Sequence, residues 1–289
     1  MEDVTFVILT KDEELNLPDC IKSIEGFAKR IVVIDSGSTD RTCEIARDMG
    51  AEVYVHPFET HARQFNWGID NAGIDTKWTF HLDADERLTP LLCKELSELM
   101  KEHADDDVNG ITMEAWLYFM GRKIKHGCHN KRKLMLFKTG IGRCEDRNVD
   151  EHTILSEGYS ISCKERFIHL DFKDLNHWIN KMNWYASKEM QDYFEYKEAS
   201  QSSGMSDGND KGISSQRKKK FGLYYRFPMF FRSRLLFIYY YIFRLGFLDG
   251  KEGFVYHWMY HRWYRTLVDA KILEQTIYRR PFRNTGDLK

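Results

Sequence analysis

Several features that would assign a class at once are missing from this sequence. Its six cysteines (Cys20, Cys43, Cys93, Cys128, Cys144 and Cys163) are scattered, with no Cys-x-x-Cys pair and no histidine–cysteine zinc spacing. A disulfide scaffold and a structural zinc module are therefore excluded, and small buried thiols in a reducing compartment are expected. The longest uninterrupted apolar run, Leu235 to Phe243, falls far short of the roughly 20 residues a spanning helix needs. The opening Met-Glu-Asp-Val has neither a basic n-region nor an apolar h-region, so no secretory leader is expected. No glycine-rich phosphate loop follows the first apolar run. The net charge is only −1 over 289 residues, and nucleic acid is not expected as a partner.

The near-zero charge hides an imbalance. From Arg217 onward there are 16 Lys/Arg against 5 Asp/Glu, so this tail is +11 and residues 1–216 are −12. Between Phe221 and Tyr264 lie 18 of the 41 aromatic residues. Basic residues mixed with aromatics suit helices lying in a membrane interface, and residues 217–264 are expected to meet a membrane surface. The competing expectation is that these helices pack on the rest of the protein or form a homo-oligomer contact.

The N-terminal part alternates strands and helices. Val4–Leu9 and Arg30–Asp35 are apolar, partly β-branched runs expected as buried strands. Ala51–Val55 and Lys77–Leu82 follow as a third and fourth strand. Pro18 sits in the first turn of a helix opened by Asn16, and Thr39 or Asp40 can cap a second helix that stops at Gly50. His61–Ala72 and Pro90 to about Glu102 read as further helices. Such alternation predicts a mostly parallel sheet with helices on both faces, with ligands gathering at the carboxyl ends of its strands. Loops 10–14, 35–40 and 83–86 all fall on that edge. Further strands are expected at Gly110–Glu114, Lys133–Phe137 and Ile161–His169, then a long amphipathic helix over Asn176–Glu198. Ala199–Gln216 is Ser/Gly/Asp-rich and expected as a mobile loop. The domain expectation is 1–198, a loop at 199–216, and a basic aromatic extension at 217–289.

Trp78–Glu86 reads Trp-Thr-Phe-His-Leu-Asp-Ala-Asp-Glu. Two carboxylates one residue apart at the end of an apolar strand are costly as core and sensible as a rim for a divalent cation, since Mg²⁺ and Mn²⁺ take carboxylate and phosphate oxygens. Asp35, at the end of the second strand, is placed either to accept a hydrogen bond from a nucleobase or ribose, or to form an Asx turn. A haloacid-dehalogenase type phosphatase would put its Asp pair after the first strand; here it follows the fourth. A nucleotidyltransferase acting on sugar phosphates would show a glycine-rich N-terminal loop. A non-catalytic membrane adaptor would account for the tail and leave the three polar strand ends unexplained.

Thr10-Lys-Asp-Glu-Glu-Leu-Asn-Leu-Pro18, Asp35-Ser-Gly-Ser-Thr-Asp-Arg-Thr42 and Leu82-Asp-Ala-Asp-Glu86 together resemble the three N-terminal signatures of glycosyltransferase family 2. The resemblance covers residue 4 to about 100. More loosely, Val149-Asp-Glu-His152 and Phe167-Ile-His169 are similar to bacterial lipopolysaccharide-core and capsule transferases, the kind that add glucose to inner-core heptose. The resemblance implies a GT-A fold, an inverting mechanism, a nucleotide-diphosphate sugar donor (UDP expected) and a Mg²⁺ or Mn²⁺ cofactor. It implies that Thr10 and Glu13 line the nucleotide pocket, that Asp35 binds the base, and that Gln64 and Asn66 face the nucleotide. Asp83 would contact the ribose and metal region, and Asp85 would coordinate the cation. Lys11 stands where many members have Tyr, and Asp12 replaces a frequent Asn. Inverting transfer needs one carboxylate to take the acceptor hydroxyl's proton. Glu151 is expected in that role, with Asp150 and Asp146 (beside Glu145) as rivals; His152 and His169 are expected near the acceptor or as structural residues. The expected acceptor is a lipid-linked glycan at the inner face of a bacterial cytoplasmic membrane.

Overall fold

The structure, a computed structural model, describes residues 1–128, 132–145, 152–202 and 224–278. It divides into two compact units, the first made of Met1–Ile124 and His129–Lys173, the second of Lys125–Cys128 and Asp174–Lys289.

The first unit is built on one large sheet. Its early strands are β1 (Glu2–Thr10), β2 (Ala28–Asp35), β3 (Glu52–Val55) and β4 (Trp78–Asp83), all parallel in the order β3-β2-β1-β4. The path continues through β8 (Arg132–Lys138), β6 (Val108–Phe119), β11 (Tyr159–His169) and the two-residue β5 (Glu86–Arg87). Here the direction is mixed: β8 runs antiparallel to β4 and β6, β6 and β11 are parallel, and β5 is antiparallel to β11. β7 (Arg122–Lys123) extends β6, and β9 (Gly142–Cys144) pairs with β10 (Thr153–Leu155) as a separate ribbon. The late strands are longer than expected: β6 runs past Glu114 through Ala115–Phe119, and Ala115, Trp116 and Leu117 pair with Phe167, Ile168 and His169 of β11.

Period-2 alternation divides the core between the two sheet faces. Val4, Phe6 and Ile8 face α1 (Leu17–Ile24), α2 (Thr42–Asp48) and α4 (Pro90–Glu102), with Phe6 and Phe80 stacked at 4.5 Å. Val7, Leu9, Val32 and Ile34 face α3 (His61–Asn71) through Ala62 and Phe65. Gly68 lets α3 lie close to the sheet, since a Cβ there would sit 2.7 Å from Ile34 Cγ1. Pro18 occupies the first turn of α1 as expected. α2 begins at Thr42, whose N–H donates to Asp40 Oδ1 at 3.0 Å.

The second unit is helical. α5 (Leu175–Ser202) lays Met182, Ala186 and Met190 against Tyr264, Val268 and Ile272. The tail itself is broken into α6 (Phe231–Ile238), a π-helical turn (Tyr239–Phe243), a 3₁₀ turn (Gly246–Asp249), α7 (Gly250–His257), a second π-helical turn (Trp258–Tyr264) and α8 (Arg265–Tyr278). The helices expected here are thus a series of short ones. A buried pair, Arg232–Asp269, ties α6 to α8, with Nε donating to Oδ1 at 2.8 Å. The unit border therefore falls at 173/174 rather than at the expected 198/199, which runs through α5. Residues 199–202, expected in a loop, continue that helix, and 203–216 lie outside the described residues. Among the described residues no helix is long and apolar enough to cross a membrane.

Candidate functional site

Parallel register aligns the strand ends: Thr10 lies opposite Asp35, and Leu9 opposite Asp83. Three of the expected site residues are thereby neighbours on one sheet edge.

The first two loops are stitched together. Asp35 is buried; its Oδ1 accepts the N–H groups of Gly37 and Ser38 (2.9 and 2.8 Å), and its Oδ2 accepts the hydroxyls of Thr10 (2.9 Å) and Ser38 (2.5 Å). Burial pushes the Asp35 pKa up, but the Ser38 and Thr10 hydrogen bonds outweigh it and leave the carboxyl below its ordinary range. Asp12, held at φ +53°, accepts the Thr39 N–H at 2.7 Å, while Glu13 N–H donates to Thr42 Oγ1 at 2.7 Å and Lys11 Nζ to Gly37 O at 2.5 Å. Lys11 thus serves as a tie between loops where a tyrosine would have offered a ring. Asp35 organises this floor, and both of its oxygens are engaged in doing so.

Glu13 points to the other side, taking Lys173 Nζ at 2.5 Å and Asn16 Nδ2 at 2.8 Å. Burial raises its pKa despite those two donors. Asn16 is fully buried and also reaches Asp171 (2.8 Å), which explains why its side chain does not cap α1.

The carboxylates after β4 are met by residues from distant strands. The short pairing of β5 with β11 sets His169 opposite Glu86, and His169 Nε2 lies 3.1 Å from Asp85 Oδ2. Burial lowers the imidazole pKa, and the Asp85 charge more than compensates, leaving His169 above its ordinary value. From β8, Lys133 Nζ reaches Glu86 Oε1 at 2.7 Å and Asp83 Oδ2 at 3.3 Å. Glu86 is buried, which lifts its pKa, whereas Asp83 is held low by Lys133 and then His81 against the opposing effect of burial. Glu86 Oε2 also accepts the Asp83 N–H at 3.0 Å, bracing the turn. Burial would lower the Lys133 pKa, but Glu86 and Asp83 drive it up.

Just inside the rim, His81 stacks on Phe65 (3.9 Å) with Nδ1 3.8 Å from Cys144 Sγ; burial lowers its pKa to about 4. Gln64 and Asn66, expected to face a nucleotide, spend their amides elsewhere. Gln64 grips His56 through Nδ1 (2.9 Å) and the carbonyl (3.1 Å). Asn66 forms a two-way bridge to the Cys144 backbone, at 2.8 and 3.0 Å. That bridge anchors β9 beside His81. Asp146, Asp150 and Glu151 lie outside the described residues; the flanking residues are joined by a hydrogen bond from Glu145 N–H to His152 O (2.9 Å).

Among the described residues no group of three or more His, Cys, Asp or Glu converges as a metal cage. The Asp85–His169 pair nevertheless fits a cation that shares its coordination with a ligand. Adjacent corners of an octahedron with bonds of about 2.1 Å lie about 3 Å apart, and the two donor atoms are 3.1 Å apart. Mg²⁺ in particular binds through one or two carboxylates plus phosphate oxygens and waters, and Asp85 is the carboxylate of this pair. His169, Lys133, Glu86, Lys173 and Asn16 are the partners that sequence reading did not assign to the donor site; for His169 the Phe-Ile-His match was a signal, but not its pairing with Asp85.

The family model described as Glycosyl transferase family 2 matches residues 5–149, half of the chain. An uncharacterised glycosyltransferase of Rickettsia typhi is 24% identical over 201 residues, covering 66% of this chain and 68% of the relative. The lipopolysaccharide core biosynthesis glycosyltransferase LpsC of Rhizobium meliloti is 31% identical over 157 residues, covering 52% and 56%. Glucosyl-3-phosphoglycerate synthase of Mycobacterium tuberculosis, solved with Mn²⁺ and UDP, is 20% identical over 40% of this chain and 44% of that one, with a TM-score of 0.32. The fold is of the GT-A kind, a mixed α/β sheet followed by a helical region, and with its three polar strand ends falling inside the matched residues the chain belongs to glycosyl transferase family 2.

Proposed function

We propose that this glycosyltransferase is an inverting, divalent-cation-dependent enzyme that moves a sugar from UDP to a lipid-linked glycan at the inner face of the bacterial cytoplasmic membrane. The pathway would be surface polysaccharide or lipopolysaccharide assembly, a reading favoured by the similarity to LpsC. The observation that carries it is the 3.1 Å contact of Asp85 with His169 at the end of β4. That pair would hold Mg²⁺ or Mn²⁺, which supplies positive charge to the leaving diphosphate. Asp83 lies toward the ribose. Lys133 adds a fixed positive charge between Asp83 and Glu86. Thr10, Glu13 and Asp35 shape the nucleotide floor, with Asp35 acting through the loop it organises. Gln64 and Asn66 support that floor from behind.

Transfer joins the acceptor oxygen to the anomeric carbon as the bond from that carbon to the diphosphate oxygen breaks on the opposite face. The acceptor proton passes to a carboxylate. Glu151 is assigned that role, with Asp150 and Asp146 as the alternatives. Asn66 pins the backbone of Cys144, two residues before Asp146 in the sequence.

Calorimetric titration of UDP with Mn²⁺ tests the donor half. Asp85→Asn and His169→Ala are each expected to weaken binding by about 10–100-fold, the scale of loss when a metal site loses a partner. Wild-type binding in both variants would refute the assignment. Glu151→Gln should bind donor normally and release UDP very slowly in the presence of acceptor.

A further inference from the structure

The surface between Arg226 and Trp258 is unlike the rest of the molecule. Thirteen of the twenty-five large apolar side chains that the described residues leave exposed fall in this one stretch. Phe243 is 72% exposed, Leu248 51% and Ile242 48%. The exposed charged residues of the stretch are Arg226, Arg234, Arg244 and Lys251. Its two acids are withdrawn: Asp249 is 2% exposed and accepts the Lys125 and His126 N–H groups (2.9 and 2.8 Å), and Glu252 is half-buried.

These side chains stand on an ordered base. Phe237 stacks on Tyr241 at 5.2 Å and meets Phe254 and Trp258 edge-on at 6.3 and 5.6 Å, so α6 with its π-helical turn folds back against α7. The chain reverses at Leu245, which takes φ +61°. A water-facing reversal in that backbone region is ordinarily Gly, Asn or Asp. Here it is made of Phe243, Arg244, Leu245 and then Phe247, all exposed. An apolar patch of this size rimmed by charge marks a contact surface.

We infer that residues 226–258 form an in-plane anchor, which inserts this apolar reversal into the interfacial layer of an anionic bilayer while its arginines meet the lipid headgroups. Lipid is favoured over a second copy of the chain because a two-fold contact through one patch would bring its arginines together. An anionic leaflet offers the opposite charge, and aromatic residues settle at the headgroup level. The inference deepens the proposed use of a lipid-linked acceptor by naming the surface that would bring the enzyme to it; the lipid contact is read from the patch itself.

Flotation of the full-length protein with phosphatidylcholine vesicles, with and without about 30 mol % phosphatidylglycerol, tests it. Wild type should float with the anionic vesicles and far less with the neutral ones. Phe243→Ser with Leu248→Ser, and separately Arg234→Ser with Arg244→Ser, should each cut the bound fraction by about tenfold without changing the melting temperature or Mn²⁺–UDP binding. Asp85→Asn should float like wild type, so loss of donor binding with intact flotation would count against the donor-site reading alone. Failure of the wild type to float, or variants that float equally well, would overturn the anchor. So would a wild-type dimer that Phe243→Ser with Leu248→Ser converts to monomer while lipid binding is absent.

Discussion

Acid should weaken this protein through one buried ring, and the size of the effect can be worked out from His81. The imidazole lies on β4 between Phe65 and Cys144, and its Nε2 is buried with no hydrogen-bond partner. Burial is the first cause of its low pKa, and the Asp83 charge only partly opposes it. The value falls from 6.5 to about 4. Between those two values the unfolded chain binds a proton that the folded chain refuses. The stability His81 contributes is therefore fully present above the unfolded pKa and is lost as pH falls toward the folded one. At 1.36 kcal/mol per unit the full loss is about 3 kcal/mol, of which about 2.5 kcal/mol has appeared by about pH 4.5. His81→Phe keeps a ring for the Phe65 stack and removes the titration. Urea unfolding followed by tryptophan fluorescence at about pH 8 and about pH 4.5 would compare the two proteins. The absolute stability of the variant is not the test, because a phenyl ring changes the packing. What matters is the difference between the two pH values: wild type should lose about 2.5 kcal/mol more than His81→Phe. Parallel losses would show that His81 is not kept neutral by burial, and the account of the rim beneath Asp83 would fail with it.

Glu86→Gln tests the brace under the rim. Both carboxylate oxygens accept, one from Lys133 Nζ and one from the Asp83 N–H; an amide can satisfy only one of these donors, so the variant should lose about 1–3 kcal/mol near about pH 8, and less near about pH 4 where the raised carboxyl of the wild type is itself protonated, read by the same unfolding measurement. Gly68→Ala should destabilise the first unit by about 1–3 kcal/mol through overpacking, because the new Cβ would sit 2.7 Å from Ile34 Cγ1; a melting temperature equal to wild type would contradict the close approach of α3.

The early strands were legible because their information is local. A continuous apolar run ending in an acid gives both the strand and its functional edge, as at Ile31–Asp35 and Phe80–Asp83. Pro18 marked the first turn of α1, but the expected caps did not form: Asn16 turns its side chain to Glu13 and Asp171, and Arg41 rather than Thr39 or Asp40 is the N-cap of α2. What could not be read was the identity of the partners, because these arrive through long-range pairing. His169, the last residue of β11, reaches Asp85 through the pairing of β11 with the two-residue β5, which has no periodicity to detect. Lys133 comes from β8, which enters the sheet between β4 and β6. The boundary at 173/174 depends on which surface the apolar side of α5 meets, and helical spacing alone does not specify that. Gln64 and Asn66 were legible as polar residues on a helix but not as amides already committed to His56 and Cys144.

The same distinction separates the acids that all looked alike in sequence. Asp35 and Asp12 are satisfied by N–H and hydroxyl groups of the loops they brace, and extracting either carboxylate for a ligand would dismantle its loop. Asp83 and Asp85 instead face side chains from other strands, the amine of half-exposed Lys133 and the ring of His169, whose pKa the Asp85 charge raises. On the proposed reading Asp85 and His169 would hold the cation and Lys133 would lie beside the diphosphate, and none of the three braces a loop as Asp35 and Asp12 do. A carboxylate whose partner is itself exchangeable can take part in a binding cycle. If the proposed function is right, the third polar strand end would carry the donor chemistry, and the first two would hold the loops around it.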